Sequence, residues 1–320
     1  MMLRILNKHP QLMVLNELHF FEQLWDPQEK NKILEINKAV ELASKLLLTQ
    51  RVGYMTHDQN YKKFYNEASD LINTIPKIKL TSENIFHAFI HQEVILNGKS
   101  IICEKTPQNV FYLKEIFEFY PNARVINMVR DPRAILLSQK NKWNRRNLGG
   151  SYMTLKEAFR LRVNYHPITL SNLWNAAIRA ALQFKEDNRV YTVRFEDLLE
   201  SPENTIRNIC HHIGVTFDTN MMNITQESSS NEKDSTEIGF KKERASNWKL
   251  GGLNTTEQWI CQQQCRQYMT YYNYTLDSIR PNIALLCFYY ISFPVKIAFA
   301  LLLNLNRMKN VIGTLKRRLQ

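Results

Sequence analysis

The chain has 320 residues, of which 44% are hydrophobic and 22% are charged, with only 9 glycines and 10 prolines. This composition excludes an intrinsically disordered, collagen-like or low-complexity protein, and the length allows one large domain or two small ones. Five scattered cysteines are too few for a disulfide scaffold and indicate a reducing compartment, while the net charge of +12 favours an anionic partner.

The amino-terminal third predicts helices. A short helix over 1–8 ends at His9-Pro10, because a proline disfavours helix in the residue before it. Residues 28–50 and 81–97 carry apolar side chains at helical spacing, and the second stretch opens on a capping signal at Thr81. The first 18 residues contain no continuous apolar run like that of a signal peptide, so we expect a cytoplasmic protein.

Strands and helices alternate in the middle of the chain. Short apolar runs at 100–104, 123–129 and 189–195 predict strands that are buried on both faces. Helical patterns occupy 108–119, 132–146 and 154–187. This order predicts an α/β fold with a parallel sheet that is flanked by helices.

The remaining pattern divides the chain into a domain over 1–277 and a helical tail over 278–320. Within the domain, the polar segment 226–237 predicts a mobile loop. The last helix of the domain begins at Asn254, which has capping-box spacing to Glu257.

The junction around Arg130 carries the strongest local signal. A predicted strand ends at Val129, Asp131 can cap the next helix, and Pro132 suits the first turn of that helix. Ligands of open α/β sheets bind at this edge, and helix amino termini attract phosphate. An anion site at Arg130, with the Ser138 hydroxyl two turns later, competes with a simple pairing of Arg130 to a carboxylate and of Ser138 to its own helix.

Four segments share a further property. NELHFF (16–21), EKTPQNVFYL (104–113), VRDPRAILLS (129–138) and VRFEDLLESPENTIRNICHHIGV (193–215) resemble, in this order, the sulfotransferases that use 3′-phosphoadenosine 5′-phosphosulfate (PAPS), especially the carbohydrate and bacterial branches. The similarity extends from about residue 3 to about residue 275. It implies a P-loop nucleoside-kinase-like fold and transfer of a sulfuryl group from PAPS to a hydroxyl or amine.

The resemblance assigns roles to single residues. Arg130 and Ser138 match the pair that holds the 3′-phosphate of PAPS. Glu17 matches a general base, and the alternative is a surface glutamate with an ordinary pKa. Lys105 matches a lysine of the transfer site, where a cation stabilises charge on the moving group, although Glu104 beside it can neutralise it as a local pair.

A basic segment near residue 245 resembles the loop that closes over the 3′-phosphate in cytosolic members. Lys242 and Arg244 are its candidate cofactor-binding residues, and a solvated loop is the alternative. Glu243 replaces the glycine of the family pattern. Phe195 stands where many members carry a tyrosine near the adenine, and core packing explains it equally well.

The family pattern begins with a strand and a glycine-threonine loop that cradles the 5′-phosphosulfate, and this chain opens on the helix that follows them. The resemblance therefore implies an amino-terminally truncated form of the fold. One account is a recorded start inside a longer reading frame. The other is a degenerate relative that no longer holds the donor.

Several ligand classes lack a signal. Cys261 and Cys265 have no second pair at zinc spacing, so no metal site is predicted. No P-loop lysine motif and no dinucleotide glycine motif occurs, which argues against an ATP-using kinase and a nicotinamide enzyme. We expect no nucleic-acid partner, because the basic excess lies beside an apolar tail and is not interleaved with aromatics.

The tail combines an apolar run over 283–305 with seven basic residues and no acidic residue over 278–320. Three arrangements fit it: a helix lying on an anionic membrane surface through 283–318, a membrane span, or packing on the domain or on a second subunit. Lys296 would cost a span about 2.5–3.5 kcal/mol, and Pro294 would kink it.

These observations predict an enzyme that transfers sulfuryl from PAPS to a hydroxyl of a carbohydrate, lipid or other small acceptor, in the cytoplasm or peripherally at the inner face of a membrane. The alternative is a catalytically inactive relative that binds the nucleotide or associates with a membrane.

Overall fold

A computed structural model describes residues 1–54, 60–144, 153–226, 235–305 and 309–319. The chain forms two compact units. The first comprises Met1–Pro121, Asp218–Asn223 and Arg307–Thr314, and the second comprises Asn122–Phe217, Ile224–Asn306 and Leu315–Gln320.

The first unit is built on one pair of parallel strands. Helix α1 (Met2–Asn7) precedes β1 (Leu12–Val14), which pairs in parallel with β2 (Ile101–Cys103), with Val14 opposite Cys103. The backbone N–H of Leu15 donates to the carbonyl of Cys103 at 2.8 Å and extends this pairing by one residue. Because the strands are parallel, the residues that follow β1 and β2 emerge at the same edge.

Helices and an aromatic cluster form the core of the first unit. The helices are α2 (Ile36–Val52), α3 (Tyr65–Asn73), α4 (Ser82–Leu96) and α5 (Leu113–Phe119). Phe20, Phe21 and Trp25 are almost fully buried, and Phe20 stacks on Phe86 with 4.1 Å between ring centroids. This cluster fixes a short π-helical turn, Phe20–Leu24, directly after the edge of the strand pair.

The second unit repeats the arrangement with longer strands. β3 (Val125–Val129) pairs in parallel with β4 (Val190–Arg194), with Val129 opposite Arg194. Its other elements are α6 (Pro132–Lys140), α7 (Leu155–Asn164), α8 (Pro167–Leu182), α9 (Phe195–Glu200), α10 (Pro202–Ile213), a short antiparallel pair of β5 (Thr225–Gln226) and β6 (Ser235–Ile238), α11 (Thr255–Tyr271) and α12 (Ile283–Asn304). A last helix, α13 (Val311–Leu319), has residues in both units.

The α/β fold with parallel strands is confirmed, and so are the predicted caps. Asp131 accepts a hydrogen bond from the N–H of Arg133 at 2.8 Å, and Pro132 opens α6. Asn254 and Glu257 form the expected reciprocal capping box at the start of α11. The division at residue 277 remains a prediction.

Several boundaries differ from the sequence expectations. The helix predicted over 28–50 begins at Ile36, the stretch 108–119 starts as a 3-10 helix, and the helix predicted over 132–146 ends at Lys140. The stretch 154–187 is two helices, because His166 before Pro167 is extended, with φ −155° and ψ 133°. The ends of the predicted loop 226–237 lie in β5 and β6, and its residues 227–234 lie outside the described residues.

The prediction of strands buried on both faces is wrong. In β3 and β4 only Val129 and Val193 are buried, and the residues of β2 are partly exposed. Within the described chain each of these strands pairs with a single neighbour, so much of each strand stays accessible. The strand β1 was not predicted, since three residues show no period.

Candidate functional site

The edge of the β1–β2 pair brings Glu17 and Lys105 together. Glu17 follows the end of β1 by three residues, and Lys105 follows the end of β2 by two. The ammonium of Lys105 forms a salt bridge and hydrogen bond with Oε1 of Glu17. Both side chains are partly exposed, at 35% for Glu17 and 46% for Lys105, so the pair remains accessible to a substrate.

The charge environment keeps Glu17 ionised. Burial by itself would raise its pKa, but His19 and Lys105 outweigh burial and lower the pKa to about 2. At neutral pH Glu17 is therefore a carboxylate that can accept a proton.

His19 is a residue of this edge to which the sequence analysis gave no role. Its backbone adopts the left-handed conformation, with φ 52°, and its N–H donates to Oγ1 of Thr106 at 3.2 Å. The buried ring lies between two carboxylates, with Nε2 3.8 Å from Oε2 of Glu17 and Nδ1 3.6 Å from Oε2 of Glu22. These distances fit ion pairs and exceed hydrogen-bond lengths.

The two carboxylates oppose the effect of burial on the pKa of His19. Burial alone would lower the pKa of the imidazole, but Glu17 and Glu22 reverse the direction, and the net pKa is raised. The ring also packs against Tyr54, with 3.9 Å between centroids. In the sequence, the feature that could have indicated a role for His19 is its position two residues after the candidate base Glu17.

Glu104 does not neutralise Lys105. Its carboxylate accepts hydrogen bonds from the Thr106 hydroxyl and the Asn109 amide. Burial raises its pKa, and these donors oppose that direction only in part. The local pair proposed as an alternative is therefore replaced by the pair of Lys105 with Glu17.

In the second unit, Arg130 occupies the equivalent edge of the β3–β4 pair. Its carbonyl accepts from the indole N–H of Trp174 at 3.1 Å. Its guanidinium carbon lies 4.4 Å from the ring centroid of Phe195, the residue that follows β4. Its Nη2 donates to the carbonyl of Arg244 at 2.7 Å, while its buried Nε has no hydrogen-bond partner among the described residues.

The alternative, a simple pairing of Arg130 with a carboxylate, is not seen within the described chain, where its guanidinium donates to the carbonyl of Arg244. Glu196, whose charge acts on Arg130, accepts from the N–H of Asp131 at 3.0 Å and from the hydroxyl of Tyr274 at 2.9 Å. Burial lowers the pKa of Arg130, and Glu196 and Asp131 oppose this direction. A partly desolvated guanidinium with a free donor is suited to an anion.

Ser138 lies on the helix that starts beside Arg130. It is the seventh residue of α6, which places it about 9 Å along the axis from Pro132. No hydrogen bond joins its hydroxyl to another described residue, so the alternative of a bond to its own helix is not seen.

The basic loop contributes unequally. Arg244 is buried and is held to Arg130 through its carbonyl, whereas Lys242 is exposed to solvent. Trp248, which follows in the loop, is buried, and its ring centroid lies 3.8 Å from the guanidinium carbon of Arg133. The structure therefore associates Arg244 with Arg130 and leaves Lys242 at the surface.

Comparison with known proteins decides the family. A model described as the sulfotransferase family matches residues 1–219, more than half of the chain. The chain belongs to the sulfotransferase family. The resemblance of the four sequence segments to sulfotransferases is thereby confirmed.

The relatives of this sulfotransferase are distant. It is 24% identical over 162 residues to omega-hydroxy-beta-dihydromenaquinone-9 sulfotransferases of Mycobacterium bovis and Mycobacterium tuberculosis, which covers 47% of this chain. The match spans only 38% of the length of those relatives. Among solved structures, the sulfotransferase domain from the curacin biosynthetic pathway is similar with a TM-score of 0.49 and 14% identity, covering 86% of this chain and 94% of that domain.

Proposed function

We propose that this chain is a PAPS-dependent sulfotransferase that transfers a sulfuryl group to a hydroxyl of a carbohydrate, lipid or other small acceptor. The observation that carries the proposal is Arg130, a guanidinium at a strand edge whose buried Nε has no hydrogen-bond partner in the part of the chain that the structure describes. Such a group fits a phosphate, which accepts several hydrogen bonds and compensates the charge.

The second unit supplies residues that fit the nucleotide. Arg130 and Ser138 would hold the 3′-phosphate of PAPS, and Arg244 would add positive charge beside them. Phe195 would offer a flat apolar surface. Lys242 would reach the phosphate only from the solvent side.

The first unit supplies residues that fit the transfer step. Glu17 would take the proton of the acceptor hydroxyl as the acceptor oxygen forms its bond to sulfur. The bond between sulfur and the 5′-phosphate oxygen breaks, and its electron pair leaves with 3′,5′-adenosine bisphosphate. Lys105 would stabilise the negative charge on the moving sulfuryl oxygens or on the leaving phosphate.

The pair of Glu17 with Lys105 suggests how the base gains strength. A carboxylate with a pKa of about 2 is ionised but weakly basic, and a general base works best when its pKa lies near the working pH. When Lys105 turns to an anionic substrate, Glu17 loses that partner and its pKa rises. The same movement would therefore bind the donor and activate the base.

The names of the mycobacterial relatives bear on the acceptor class. The mycobacterial relatives are named for a hydroxylated menaquinone derivative, which favours a lipid alcohol among the three acceptor classes. We infer a cytoplasmic enzyme, since five scattered cysteines are too few for a disulfide scaffold.

The test is a titration of the purified chain with 3′,5′-adenosine bisphosphate. Arg130→Ala should weaken binding about tenfold to a hundredfold, the cost of a charge-assisted hydrogen bond. Arg207→Ala is the matched control, because Arg207 is an exposed arginine of the same unit that pairs with Glu203. An unchanged dissociation constant for Arg130→Ala contradicts the proposed phosphate site.

A second measurement separates the enzyme from an inactive relative. Radiolabelled sulfur from PAPS should be transferred to members of a panel of sugar and isoprenoid alcohols. Glu17→Gln should reduce the rate of this transfer about 10²- to 10⁴-fold without weakening the binding of 3′,5′-adenosine bisphosphate. Binding without any transfer would favour the inactive relative.

A further inference from the structure

Helix α12 presents an apolar surface that the proposed chemistry does not use. In the part of the chain that the structure describes, it is the one helix long and apolar enough to cross a membrane by length and composition. None of its residues is buried. Its 22 residues extend over about 33 Å.

One side of α12 is fastened to the second unit near both ends. Toward its amino end, the hydroxyl of Tyr289 accepts from the amide of Asn254 at 3.1 Å, and the ring of Tyr289 meets His166 edge-on at 5.7 Å. At its carboxyl end, the amide of Asn304 donates to Oδ1 of Asn164 at 2.9 Å. The helix axis therefore runs along the surface of the unit.

The opposite side, which we call the outer face, carries large exposed apolar residues. Its large residues are spaced three or four apart, so they share one side of the helix, and they are between 56% and 77% exposed. They are Phe288, Ile291, Val295, Phe299 and Leu302.

Tyr289, Lys296 and Asn304 lie on the side of α12 that faces the second unit. Tyr289 and Asn304 bond to the second unit, and Lys296 is near enough to His166 to affect its ring. Burial and then the charge of Lys296 lower the pKa of His166 to about 4, against a backbone hydrogen bond at Tyr289 that raises it. The helix thus turns its single charge toward the protein and its hydrocarbon outward, the reverse of a water-exposed helix.

Charge around the helix identifies the medium that the outer face meets. The segment 278–320 has seven basic residues and no acidic one. Lys309 is engaged with Glu29 at 2.8 Å, while Arg280 and Lys316 are exposed before and after the helix. A self-complementary contact with a second copy would bring like charges together, whereas an anionic bilayer compensates them.

We propose that α12 lies flat in the interfacial region of an anionic membrane, with the outer face in the acyl boundary and the second unit above it. A span across the bilayer would require the helix to leave its contacts with Asn254 and Asn164. This inference goes beyond sulfuryl transfer and does not depend on it.

The test is co-sedimentation of the full chain with vesicles of phosphatidylcholine, with and without phosphatidylserine. The wild type should bind the anionic vesicles, more weakly at high salt, and alkaline carbonate should release it. The double variant Ile291→Ser with Val295→Ser should bind about tenfold or more weakly. The matched control is Ile78→Ser with Ile95→Ser, which removes two isoleucines of comparable exposure outside the tail and should bind as the wild type does.

Three outcomes overturn the proposal. They are equal binding of the outer-face variant and the control variant, retention of the wild type in vesicles after carbonate, and a wild-type dimer that the outer-face variant alone dissociates without loss of vesicle binding. Titration with 3′,5′-adenosine bisphosphate accompanies each variant. It should be unchanged, so that a failure of the membrane surface is distinct from a failure of the nucleotide site.

Discussion

At the scale of single residues, the first unit places three charges on a short stretch of backbone. Glu17 accepts from Lys105 on one side and lies within ion-pair distance of His19 on the other. His19 in turn faces Glu22, so that positive and negative groups alternate. The loss of Lys105 or of His19 should therefore appear in the titration of Glu17.

Lys105→Met tests this coupling. Burial favours the neutral acid of Glu17, and Lys105 is one of two cations that overcome it. Removing Lys105 should raise the pKa of Glu17 from about 2 toward the usual range of a glutamate. If Glu17 is the base, the acid limb of the pH–rate profile moves to higher pH in parallel.

Carbon-detected NMR of the glutamate carboxylates measures this pKa directly. Lys45→Met provides the control, because it breaks a lysine–glutamate pair of similar exposure, with Glu41 at 2.6 Å, elsewhere in the same unit. A Glu17 titration that is identical in both variants contradicts the coupling.

Glu17, Lys105 and Arg130 can be predicted from the sequence by resemblance, but their partners cannot. The contact of Glu17 with Lys105 depends on the pairing of β1 with β2, and β1 is too short to show a period. The position of the His19 ring depends on a left-handed backbone conformation, which the residue type alone does not predict. Partners that are distant along the chain follow from the fold and not from local pattern.

At the scale of elements, the helix caps are predictable because each depends on only a few adjacent residues. The box at Asn254 and the cap at Asp131 need only local geometry. The break between α7 and α8 was missed although it follows from the same proline rule that ended α1, since the apolar pattern continues across it. The start of α2 was misplaced because the polar residues before it also fit a helical period.

Asn254 joins two elements, and substitutions can separate its roles. Its side chain accepts from the N–H of Glu257 at 2.8 Å to cap α11, and its amide donates to Tyr289 of α12. Asn254→Ala should lower the free energy of unfolding by about 0.5–2 kcal/mol, the usual cost of a lost cap. Tyr289→Phe should retain the cap and lose only the bond between Asn254 and the Tyr289 hydroxyl.

Urea denaturation of the full chain measures both effects. Asn208→Ala, at an exposed position within α10, is the control and should change stability by only a few tenths of a kcal/mol. Equal stability of Asn254→Ala and wild type contradicts a stabilising cap.

At the scale of the whole molecule, each unit has its own hydrophobic core. Each unit also holds a buried histidine, and the pKa values of these two histidines are shifted in opposite directions. In the first unit the pKa of His19 is raised, with burial overcome by Glu17 and Glu22. In the second unit the pKa of His166 is lowered to about 4, mainly by burial. The free energy of unfolding must therefore depend on pH with opposite slopes.

The signs fix two pH windows around the ordinary histidine pKa of about 6.5. The raised pKa of His19 contributes stability that is complete below about 6.5 and is lost as the pH rises through its folded pKa. His166, with its lowered pKa, contributes stability above about 6.5 that is lost as the pH falls toward about 4. Over the upper part of that fall, to about pH 5, most carboxylates remain ionised, which isolates the histidine contribution.

Urea denaturation at about pH 5, 6.5 and 8 follows these windows in three proteins. His19→Asn should flatten the loss of stability above 6.5 only, and asparagine tolerates the left-handed backbone at that position. His166→Asn should flatten the loss below 6.5 only, whatever its effect on stability at 6.5. Packing defects shift stability equally at each pH, so a variant whose slopes match those of the wild type in both windows would show that its histidine does not couple folding to protonation.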